Sequence, residues 1–151
     1  MIGASPKIEI KGLPGKKIGI VSSQWHPEIC EALIAGAMRA IKEAGITETM
    51  VRKVAGSFEI PLAAQRMLDG GCDAVVTVGL VLRGETPHFD YVCQGVTSGV
   101  MELMLSRGKP IGFGVLMCDN VEQAQARSGL PGSKEDKGYD AAVAALDLLR
   151  D

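Results

Sequence analysis

The chain has 151 residues, enough for one domain with a packed core, and 46% hydrophobic against 23% charged residues is an ordinary globular balance. A net charge of -2 leaves no basic surplus for a nucleic-acid backbone, and 4% aromatics leave few rings for base stacking. No uncharged run is long enough to span a bilayer, and no charged segment leading into an apolar one opens the chain, so it reads as cytosolic. The four cysteines, Cys30, Cys72, Cys93 and Cys118, contain no C-x-x-C pair. Each sits in or beside an apolar segment, so they read as small buried residues in a reducing compartment.

Residues 1–15 hold two prolines and three glycines around Lys7-Ile8-Glu9-Ile10. That alternation suggests a short strand with too little apolar surface to bury alone, pairing with the sheet edge or with a neighbouring subunit. Lys17–Ser22 is the first core strand. Pro27 suits a first helical position, and Ile29, Leu33, Ala37, Ile41 and Ala44 repeat at helical spacing until Gly45 stops the helix. Residues 50–54 form the second strand and 59–69 the second helix. Ala74–Leu82, a continuous apolar run, is a buried third strand, followed by a third helix over 89–107. Residues 111–117 form the fourth strand. Asp119 and Glu122 have capping-box spacing for a short helix through Arg127. After a turn at 129–133, Ser133 caps a last helix over 134–149.

Alternating strands and helices with short loops imply an α/β fold, a three-layer α/β/α sandwich. Right-handed crossovers favour a flavodoxin-like, four-stranded parallel sheet in the order 2-1-3-4. No internal repeat or domain boundary interrupts residues 1–151. The switch point lies between the first and third strands. The loops after Ser22 and Leu82 should therefore share one crevice, with the loop after Val54 beside it.

The stretch from Arg83 to Val96 is the most informative of the three. A loop leading from a strand into a helix N-terminus offers free N–H groups to an anion. Arg83 adds a positive charge and Thr86 a hydroxyl donor. His88, one of two histidines, is the proton-transfer candidate, since imidazole as a group type titrates near neutral pH. In the first-strand loop, Trp25 is the only tryptophan; it either stacks on a planar ligand or covers the sheet end. His26 reads as a helix-start residue. Beyond Val54, Gly56 permits a sharp turn. Ser57 and Glu59 either cap the next helix or aim hydrogen-bonding groups into the crevice.

The motifs RGETPHFDYVC (residues 83–93) and GSFEIP (56–61), the aromatic after the first strand, and the tail GSKEDKGYDAAVAAL (132–146) together resemble the lumazine synthase family. The resemblance runs from about Lys16 to Leu149. It implies an enzyme of riboflavin synthesis that condenses 5-amino-6-(D-ribitylamino)uracil with 3,4-dihydroxy-2-butanone 4-phosphate, with no cofactor and no metal. Trp25 then stacks on the pyrimidine ring, while Ser57, Phe58 and Glu59 hold the ribityl chain and ring edge. Leu80, Val81 and Leu82 read the uracil through their backbone. Glu85 and Thr86 belong to the butanone-phosphate loop, and His88 is the proton donor. Phe113 and Arg127 come from the adjacent subunit, with Arg127 on the phosphate, and Lys137 lies near the same site. The family forms pentamers, some of which build icosahedral shells. Two departures stand out: Val54-Ala55-Gly56 replaces the common Val-Pro-Gly, and Trp25 stands where many relatives have phenylalanine. A non-catalytic flavin or lumazine carrier on the same fold is the alternative reading.

Overall fold

The computed structural model describes residues 2–151. Four strands, β1 (Lys17–Ser22), β2 (Glu48–Lys53), β3 (Ala74–Leu82) and β4 (Ile111–Cys118), pair in parallel in the order β2-β1-β3-β4. This is the expected flavodoxin-like order. Five helices connect or follow them: α1 (Pro27–Glu43), α2 (Ile60–Asp69), α3 (His88–Arg107), α4 (Val121–Gln125) and α5 (Lys137–Leu148). A 3-10 turn, Ser57–Glu59, leads into α2.

β3 pairs with strands on both sides and is buried from Ala74 to Leu80, which is why its sequence is apolar except for Thr77, whose hydroxyl donates to the Gly112 carbonyl. Its side chains alternate between two cores. Ala74, Val76, Val78 and Leu80 pack with α1 and α5, and Val75 packs with α2 and α3.

The helices approach closely where glycines remove side chains. A Cβ at Gly138 of α5 would collide with the Leu33 carbonyl of α1, and one at Gly36 with the Asp136 carboxylate. Asp136 also pairs with Arg39 of α1, so this corner is both tight and charge-matched. On the other face, a Cβ at Gly99 of α3 would lie 3.0 Å from the Pro61 ring of α2.

Local expectations shift in four places. The cap of α4 is Asn120, whose side chain accepts from the Gln123 N–H, whereas the Asp119 N–H donates to the Gln123 side chain. The cap of α5 is Asp136; Ser133 instead donates to the Gln125 carbonyl, so the helix starts at Lys137. β2 starts at Glu48 and ends at Lys53, because its register follows β1 from Lys17 to Ser22. Residues 2–15 form no strand within the chain. They lie over α1 and α5, with Ile10 buried, the Leu13 N–H donating to Ala44 and the Ser5 hydroxyl to Asp140. Helix backbones are already internally bonded, so they offer this segment side-chain contacts but no ladder. Among the described residues, no helix is long and apolar enough to cross a membrane.

Candidate active site

The three predicted loops meet at the carboxyl end of the sheet, around a cleft of about 880 Å³. That volume suits a small-molecule site. The cleft opens where β1 and β3 part company. Ser23 follows β1, and its N–H still donates to the Val78 carbonyl at 3.2 Å. Beyond that point side chains replace the missing strand. The Leu80 N–H donates to the Ser23 hydroxyl at 3.2 Å, and the Ser57 hydroxyl donates to the Leu80 carbonyl at 3.2 Å. Gly79 makes room for this pair, since a Cβ there would lie 2.6 Å from Ser23 Oγ. On the other side the ladder to β4 runs from Val75, whose N–H donates to the Pro110 carbonyl, to Arg83, whose N–H donates to the Cys118 carbonyl, so alternate residues of β3, Val81 among them, face β4. Strand alternation therefore turns the Leu82 peptide groups away from β4, toward the cleft.

Trp25 forms one wall. Its loop is tied down by Cys30, whose thiol donates to the Trp25 carbonyl at 3.1 Å, and by Gln24, which donates to the Val54 carbonyl at 3.1 Å. Burial raises the Cys30 thiol pKa. A Cβ at Gly56 would lie 3.3 Å from Trp25 Nε1 and 3.5 Å from Glu59 Oε1. Gly56 itself is extended, with φ -149°. Its absent side chain leaves room for the indole and the carboxylate, and no sharp turn is made there. Phe58 lines the cleft from the 3-10 turn; a Cβ at Gly95 of α3 would come within 2.8 Å of its ring.

His88 opens α3, exposed at the cleft, and its N–H is within 3.4 Å of Thr86 Oγ1. Thr86 therefore accepts from the backbone and keeps its hydroxyl proton for a ligand. Arg83 does not serve the anion site as expected. Its Nε donates to Asp119 at 2.8 Å, Asp90 lies 3.6 Å from Nη1, and the guanidinium stacks 4.4 Å from the Phe89 ring centroid. Hydrogen bonding to Asp119, first among the causes, raises its pKa further. Arg83 is a brace for the loop.

Of the residues named from sequence, Trp25, Ser57, Phe58, Glu59, Leu80, Val81, Leu82, Thr86 and His88 line this cleft. Glu85 is exposed on the same loop but is not part of the lining. Phe113 lies on edge strand β4, 41% exposed. Arg127 follows α4, its Nη1 donating to the Gln123 carbonyl at 2.9 Å, and Lys137 lines a second cleft beneath the N-terminal segment. None of these three reaches the first cleft of its own chain. Six lining residues were given no ligand role beforehand: His26, Gly56, Gly84, Phe89, Tyr91 and Val92. His26 adopts a left-handed backbone, φ 53°, alone among non-glycine residues described. Such a conformation in a bulky residue was the signal to seek, but dihedrals are not written in sequence.

A parallel sheet with a cleft at its switch point, walled by an indole and holding an imidazole and a carboxylate, defines a flavodoxin-like protein with a candidate small-molecule site. The 6,7-dimethyl-8-ribityllumazine synthase family matches residues 15–151. A protein of that name from Streptomyces coelicolor is 46% identical over 142 residues, covering 94% of this chain and 88% of the relative. One from Paenarthrobacter aurescens is 55% identical over 130 residues, covering 86% and 80% respectively. One from Frankia casuarinae is 49% identical over 154 residues, covering 99% and 95%. The chain belongs to the 6,7-dimethyl-8-ribityllumazine synthase family.

Proposed function

We propose that this protein condenses 5-amino-6-(D-ribitylamino)uracil with 3,4-dihydroxy-2-butanone 4-phosphate, giving 6,7-dimethyl-8-ribityllumazine, phosphate and two waters. Family membership supports the reaction. The observation that carries the site is the convergence of Trp25, Glu59 and His88 on one cleft. The indole offers a flat apolar face to the pyrimidine. Glu59 and the first peptide N–H groups of the 3-10 turn supply acceptors and donors for the ribityl chain. The Ser57 hydroxyl is committed to Leu80, so Ser57 serves the ligand through its backbone and through the strand end it braces. At the strand end Leu80–Leu82, the Leu82 peptide groups are the ones free to read the ring edge, since Leu80 is bonded to Ser23 and Ser57 and Val81 faces β4, and Glu85 and Thr86 flank the ketone.

Amine attack on a ketone, phosphate loss and ring closure are successive proton transfers. His88, as neutral imidazole or imidazolium, can take or give the proton at each. No metal or cofactor enters this scheme. Holding both substrates in register contributes up to ~7–11 kcal/mol in well-oriented cases.

The phosphate needs a cation that the cleft lacks. We assign that role to Arg127 of a neighbouring copy, together with Phe113 and with Lys137 nearby. Arginine's fork suits phosphate better than an ammonium. The exposed apolar side chains support an assembly: Phe113 on β4, Met50 and Val51 on β2, and Leu62 and Leu105, 52% and 73% exposed, on α2 and α3. We therefore read residues 1–151 as one domain, with 1–15 as an arm, working in the cytoplasm as a homopentamer or an icosahedral assembly of pentamers.

Mixing the two substrates with the folded, assembled protein should yield a product with lumazine absorbance and fluorescence. If none forms, the catalytic reading fails.

A further inference from the structure

We propose that Glu135 is an internal competitor for the cations that hold phosphate, and so sets how tightly the protein grips its phosphorylated substrate and how readily it releases product phosphate. The inference rests on the reading of Arg127 as the phosphate-holding residue.

A bridge between Ser128 and Asp136 brings the chain after α4 alongside the chain before α5. One carboxylate then faces two cations. Glu135 Oε2 lies 3.5 Å from Arg127 Nε, and Glu135 Oε1 lies 3.0 Å from Lys137 Nζ. Asp140, at 3.7 Å from Lys137 Nζ, is the second carboxylate there. Two oxygens held between a guanidinium and an ammonium imitate a bound phosphate. The side chains are 39%, 23% and 26% exposed for Arg127, Glu135 and Lys137, so solvent only partly screens the group. An arriving phosphate must displace Glu135 or share its cations and meet its repulsion; either lowers anion affinity. When phosphate has been eliminated, the returning carboxylate takes back the cations and favours its departure.

The side chain can be neutralised without dismantling the turn. The Glu135 N–H donates to Ala126 at 3.0 Å and its carbonyl accepts from Gly129 at 3.1 Å, both through the backbone.

The experiment is a calorimetric titration of the assembled protein with inorganic phosphate at fixed ionic strength, comparing native protein, Glu135→Gln and Arg127→Ala. Glu135→Gln should bind phosphate about five- to tenfold tighter, a partly screened charge effect. It should lower KM for the butanone phosphate while leaving KM for the pyrimidine unchanged. Glu135→Ala should move in the same direction, separating charge from any new amide contact. Unchanged or weaker phosphate binding in both Glu135 variants, with Arg127→Ala weakened, overturns the competition alone. Unchanged binding in Arg127→Ala removes the phosphate assignment, and the competition with it.

Discussion

At the scale of single residues, side chains that face the cleft differ from those that hold others in place. His88 is exposed at the start of α3 and lines the cleft. Replacing it with alanine should lower kcat by about 10²-fold or more, the usual contribution of a positioned acid–base group, with little change in pyrimidine binding. Steady-state kinetics beside a binding titration separates the two; a loss confined to binding would contradict the role. Cys30 shows the other kind of residue. It is 2% exposed, bonded to the Trp25 carbonyl, and its pKa is raised by burial. A raised pKa means less thiolate at pH 8, so Cys30 should resist alkylation in the native protein and react only on unfolding. Peptide mapping after iodoacetamide treatment reads this directly.

At the scale of elements, close helix approach is the feature most sensitive to small changes. Gly138 meets the Leu33 backbone, which cannot move aside as a flexible side chain can. Gly138→Ala should therefore destabilise the fold by about 1–3 kcal/mol, the usual range for overpacking, whereas Gly84→Ala, with open space around it, should not. Denaturant midpoints of the two variants decide it.

The elements were largely legible in sequence because burial dictates composition. β3 is apolar but for Thr77 since both faces are covered, and α1 carries its apolar positions at helical spacing since one face is covered. Caps were less legible. Asp119 and Asn120 are both competent caps, as are Ser133 and Asp136, and only the tertiary course of the chain chooses between them. Ser133 is taken by the Gln125 carbonyl, leaving Asp136 for α5. The loops of the cleft could be placed from topology alone. Tyr91 and Val92 could not, because a helix that opens at a switch point shows the cleft a face that no local pattern marks. Arg83 was misread for the same reason: its partners Asp119 and Asp90 lie on other elements or further along α3.

At the scale of the whole molecule, the cleft and Arg127, the cation proposed to hold phosphate, lie apart on one chain. Arg127 is held by Gln123 and Glu135 and takes no part in lining the cleft. In the proposed assembly a neighbouring copy brings them together, and activity then requires assembly. Subunit mixing tests that most directly. His88→Ala and Arg127→Ala chains, each impaired alone, should be unfolded together in equal amounts, reassembled and assayed. Random mixing places an intact cleft against an intact arginine at about a quarter of the shared sites, so activity should rise well above that of either variant. If the mixture is no more active than the mean of its two components, each chain completes its own site and the shared cleft is wrong.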